Sequence, residues 1–213
     1  MLKAYQDDVE QRAQEGLPPL PLDTEQVTGL IALLKQAENK DSKQCLELLI
    51  HRVPPGVDQA AYVKAGFLTD IAKGNVDCAF IDPIHATELL GTMMGGYNID
   101  ALIALLDVPQ TADAAEKALS KTLLIYDAYH DVVEKAQTND HAKRVVEAWA
   151  NADWFEARES LADKITATVF KVPGETNTDD LSPATDAWSR PDIPLHAKAC
   201  LLYTSPSPRD GLL

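Results

Sequence analysis

A chain of 213 residues, 46% hydrophobic and 24% charged, can bury the core of one sizeable domain or one and a half, and its composition excludes a disordered or fibrous protein. The net charge is −14; six of the 33 acidic and four of the 19 basic residues lie from Thr166 onward, leaving 27 acidic against 15 basic, or −12, on the first 165 residues. That charge disfavours phosphate backbones as default partners, and no stretch approaches the roughly 18 apolar residues of a membrane span.

The acidic opening "MLKAYQDDVEQRAQEG" is not expected to be a signal peptide; residues 2–15 read as a polar-rich helix ending at Gly16, with "LPPLPL" (17–22) as a rigid link. "DTEQVTGLIALLKQA" opens on Asp23 or Thr24 as N-cap, with Glu25 in the first turn. Val27, Leu30, Ile31 and Leu34 then take the three-and-four spacing of one apolar face. "SKQCLELLIHRV" is the next helix, stopped by Pro54-Pro55-Gly56. "DQAAYVKAGFLTDIAKG" follows, capped by Asp58 and closed at Gly74. Asp82 as N-cap and Pro83 at the first helical position open "PIHATELLGTMM", which Gly95-Gly96 should break.

Asn98 is expected to cap "IDALIALLD". After Pro109, "TADAAEKALSKTLLIYDAYHDVVEKAQ" is long enough for two helices with a short joint, and "DHAKRVVEAWANADWFEARESLADKI" reads as one more. Strand-like alternation first occurs in "TATVFKV" (166–172). The expectation is a mainly α fold of about eight helices, each about 10–16 residues long, with a domain boundary near Ile165. Stacked helix pairs and a compact bundle both satisfy this pattern.

Cys45, Cys78 and Cys200 show no paired spacing, which predicts reduced thiols in a cytosolic protein. Cys45 and Cys78 sit among apolar neighbours, where cysteine packs as a small hydrophobe. "YDAYHD" places Asp127, His130 and Asp131 on one helix face, a spacing that metal ligation would use. With no fourth ligand nearby, a solvated face accounts for it better. "MMGGYN" (93–98) has the glycines of a phosphate loop but neither a preceding strand nor a following GK[ST], so a helix–helix turn is expected. Trp149 and Trp154 are expected to anchor the last helices in the core. His51, beside Arg52, reads as a helix C-terminus that favours positive charge. His85 falls in a first turn with no partner visible in sequence.

The stretch "GETNTDDLSPA" (174–184) follows a strand directly and is rich in turn formers. Arg190 then stands alone in "TDAWSRPDIP". A guanidinium fork grips a carboxylate with two parallel bonds; a surface ion pair with Asp186 or Asp192 is the competing reading.

Three blocks carry a family resemblance. "VFKVPGETNTDDLSPATDAWSRPDIPLHA" resembles the opening of the swivel domain of bacterial B-type aconitases, and "HRVPPGVDQAAYVKAGFL" (51–68) and "ELLGTMMGGYNIDALIALL" (88–106) are similar to that family's N-terminal region. The likeness spans residues 1–199. It implies a HEAT-like domain of stacked antiparallel helices at 1–165, then the first strand and loop of a truncated α/β swivel domain at 166–199. "CLLYTSPSPRD" (200–210) falls outside the likeness and is similar to a translated sequencing adapter, so residues 200–213 are expected to be a non-native tail and Cys200 to have no chemical meaning.

The resemblance further implies a cytoplasmic hydro-lyase of the tricarboxylic acid cycle, interconverting citrate and isocitrate through cis-aconitate, with 2-methylisocitrate dehydration as a related activity. The family uses a [4Fe–4S] cluster as Lewis acid, held by cysteines downstream of this stretch; this chain is expected to bind none and to be inactive alone. Arg190, in "DAWSR", matches the family's substrate-binding arginine. "NTDDLSPA" is similar to a turn of swivel domains and marks Asn177, Thr178, Asp179, Asp180 and Ser182 as an active-site loop. The helical domain would abut the catalytic core and offer a homodimer contact. Some aconitases lacking their cluster bind RNA, to which the acidic charge adds no support. The alternative is a free-standing helical module that binds another protein.

Overall fold

The computed structural model describes residues 1–14, 19–36, 40–94, 96–122, 125–156, 163–166 and 177–178. Helices follow one another among the described residues: α1 (Leu2–Gln14), α2 (Thr24–Leu34), α3 (Ser42–His51), α4 (Gln59–Ala72), α5 (Pro83–Leu90), α6 (Ile99–Leu105), α7 (Ala112–Ser120), α8 (Ala128–Lys135), α9 (Asp140–Ala150) and α10 (Asp153–Glu156). No strand occurs among the described residues. The strand expected at 166–172 lies outside them, apart from Thr166.

Three aspartates begin helices as their local sequence dictates. Asp23 accepts from Gln26 N at 2.8 Å while the Gln26 side chain accepts from Asp23 N at 3.0 Å, a reciprocal capping box. Asp58 accepts from Ala60 N at 2.6 Å, and Asp82 from His85 N at 2.8 Å ahead of Pro83. Each satisfies a backbone donor that a helix start leaves without a partner. Gly74 closes α4 at φ 73°, a left-handed turn that lets Asn75 N reach Asp70 O at 2.8 Å.

The principal packing contacts join helices close in chain order. α2 lies on α3 and α4, α4 on α5, α5 on α7, α6 on α7, α7 on α9, and α8 on α9. Each of these pairs joins helices no more than two apart in chain order. One continuous core runs through them. It contains Leu30 and Leu34 of α2, Leu48 and Leu49 of α3, and further along Leu68 and Ile71, Leu90, Leu102 and Leu105, Leu119 and Val145. Each fully buried leucine contributes about 1.5–3 kcal/mol against exposure. The end of α5 approaches α7 closely at Gly91, where an added Cβ would stand 2.7 Å from Ala118 Cβ.

Two cations are buried against backbone carbonyls at the end of α3. Arg52 Nη2 donates to Pro19 O at 2.5 Å, and Arg52 O accepts from Leu22 N at 2.7 Å, which ties the proline-rich link to the core. Lys64 on α4 donates to Ile50 O at 3.4 Å, near the C-terminus of α3. His51 pairs with Glu47 one turn back at 3.4 Å.

Four expectations need correction. α5 stops at Leu90 rather than running to Met94, because Thr92 Oγ1 donates to Leu89 O at 2.7 Å and Met94 N is drawn to Pro55 O at 2.7 Å. The last long helix is broken at Asn151–Ala152, where Ala152 takes φ 55° before α10 begins. Several helices are shorter than expected, with α6 only 7 residues and α5 and α8 only 8. Trp149 does anchor α9, its Nε1 donating to Leu119 O at 2.9 Å, but Trp154, past the break, is 40% exposed.

Candidate functional site

Of the loop residues singled out in the sequence, Asn177 and Thr178 are described, and both are exposed. Asp179, Asp180, Ser182 and Arg190 lie outside the described residues. The "YDAYHD" face is solvated: Asp127, His130 and Asp131 are all exposed, and Asp127 makes no side-chain cap bond to α8. Tyr129 in that motif leans on Trp149 with ring centroids 6.0 Å apart.

The groups that do converge lie elsewhere, on the seam between α7 and α9. Asp113 and Glu116 project from one side of α7, and His141 and Arg144 from the first turns of α9. Glu116 Oε2 stands 2.7 Å from His141 Nδ1 and accepts from Arg144 Nη2 at 2.7 Å, while Arg144 Nε reaches both carboxylate oxygens at 3.0 Å. Asp113 Oδ1 is 3.6 Å from His141 Nδ1. Arg144, and after it His141, hold the Glu116 carboxyl below the usual carboxylate range; Glu116 in turn pushes the Arg144 guanidinium further up. Asp113, Glu116 and His141 offer three metal-type ligand atoms within 4.8 Å of one another. Chemically the cluster is an ion-pair joint, since the arginine already neutralises the central carboxylate. No local motif announces it, because the partners are separated by 25 and 28 residues.

A second joint ties the end of α6 to α8 and α9. Lys135 pairs with Asp107 at 2.5 Å, and Asn139 Nδ2 donates to Leu106 O at 3.0 Å and Asp107 Oδ1 at 2.9 Å. Asn139 Oδ1 also caps α9 by accepting from Ala142 N at 2.9 Å. Lys135, followed by Asn139, lowers the Asp107 carboxyl.

The described residues of "MMGGYN" lie between α5 and α6 and have a specific task. Tyr97 OH donates to Val57 O at 3.0 Å, and its ring meets Tyr62 edge-on at 5.3 Å. Together with the bond from Met94 N to Pro55 O, these contacts tie Pro55, Val57 and Tyr62 to Met94 and Tyr97. Asn98 is not the side-chain cap expected of it. It is 1% exposed, and its Nδ2 donates back to Leu90 O at 2.8 Å and Met93 O at 3.3 Å, clamping the end of α5.

The described cysteines do not fit an iron–sulfur cluster. Such a cluster takes three or four thiolates. Cys45 is fully enclosed in the core of α3, and the Cys78 thiol is directed at Leu34 O, 3.5 Å away.

The described residues define a mainly helical domain whose helices pack on others close to them in chain order. Residues 4–155 match the model of the aconitate B N-terminal domain, and the chain belongs to that family. Residues 167–211 match the aconitate hydratase 2 N-terminus, a match that runs past Cys200. The chain is 54% identical over 213 residues to aconitate hydratase B of Pseudomonas aeruginosa, covering 100% of this chain and 24% of the relative. It is 57% identical over 202 residues to aconitate hydratase B of Escherichia coli, covering 94% and 23%. With aconitate hydratase B of Helicobacter pylori the identity is 48% over 202 residues, covering 94% and 24%. The chain thus spans about a quarter of the length of the curated relatives it matches.

Proposed function

We propose that this chain is the N-terminal part of a cytoplasmic aconitate hydratase that interconverts citrate and isocitrate through cis-aconitate. The observation that carries this is the succession of two family matches, 4–155 and then 167–211, in one chain that is 54–57% identical to aconitate hydratase B of several bacteria. In this reading residues 1–165 are the helical domain and residues 166–199 open the swivel domain. The helical domain abuts the catalytic core and offers the homodimer contact.

A [4Fe–4S] cluster, held by cysteines outside this chain, would supply Lewis-acid chemistry at the substrate hydroxyl. This chain's own contribution is Arg190, whose fork holds a substrate carboxylate, with Asn177, Thr178, Asp179, Asp180 and Ser182 as an active-site loop. The chain alone is inactive. A second reading, a helical module that binds another protein, draws on exposed Tyr126, Tyr129 and Trp154 around α8–α10.

The test is kinetic. Residues 1–199 are grafted in place of the aligned segment of E. coli aconitate hydratase B, and Arg190→Lys is introduced. Losing a two-point carboxylate grip costs about 2 kcal/mol or more, so kcat/KM for citrate should fall about 30-fold or further. An unchanged kcat/KM would remove Arg190 from the substrate site.

A further inference from the structure

We draw no further inference here: the strongest candidate, the Asp113–Glu116–His141 side-chain cluster on the α7–α9 seam, carries nothing because Arg144 already occupies the position a cation would take on Glu116 and no second observation points to a ligand there.

Discussion

Glu116 and Arg144 lock α7 to α9 through two guanidinium nitrogens on both carboxylate oxygens, at 2.7–3.0 Å. The pair is partly exposed, so solvent screening limits its worth. Its geometry still exceeds that of an ordinary surface pair, because a planar fork meets a planar carboxylate and His141 approaches the same oxygen.

This joint predicts an acid-sensitive seam. The Glu116 carboxyl is depressed when folded, so its stabilisation is fully present above the ordinary glutamate range, about pH 4.3, and is lost as pH falls through the lower folded value. Glu116→Gln should lower the melting temperature near neutral pH and flatten the acid limb of the curve of stability against pH. Thermal unfolding of both proteins across the acid range checks this. A glutamine variant that tracks the wild-type acid limb would show that the pair carries no linkage.

Two glycines should respond to alanine with opposite signs. At Gly91 a Cβ would meet Ala118 Cβ at 2.7 Å and Glu88 O at 3.2 Å, forcing α5 and α7 apart. The overpacking cost is about 1–3 kcal/mol. At Gly66, exposed within α4, a Cβ meets nothing within 4 Å. Gly66→Ala should therefore stabilise by about 0.5–1 kcal/mol through helix propensity. Urea unfolding of the two variants reads both signs at once.

Asn98 should be the costliest polar side chain to remove from the α5–α6 turn. Asn98→Ala leaves Leu90 O and Met93 O without its amide donor, at a cost of about 1–3 kcal/mol. Asn98→Asp should be worse, since it replaces a buried donor with a buried charge. A lower urea midpoint at unchanged slope is the expected result for the alanine variant.

How far these features are legible in the sequence follows from how local their causes are. The Asp23, Asp58 and Asp82 caps act within three residues, so a short acidic side chain ahead of an apolar repeat reveals each of them. The joint between α7 and α8 is legible too, as a periodic stretch too long for one helix. Asn98 looks like a cap, yet its partners lie eight and five residues back on another element, and nothing in its immediate sequence marks that. The break at Ala152 is invisible because alanine is the best helix former, yet here it takes a positive φ. The seam of Glu116, His141 and Arg144 exists only once α7 and α9 are stacked. Trp154 reads as core by composition, but past the break at Ala152 it is 40% exposed.

The most direct measurement is turnover of the graft itself, residues 1–199 in the E. coli enzyme, assayed for conversion of citrate to isocitrate. If the chain is the N-terminal part of an aconitate hydratase, kcat/KM should stay within about tenfold of the parent enzyme, a difference of about 1.4 kcal/mol. A graft that loads its cluster and melts like the parent, yet turns over no citrate, would contradict the account.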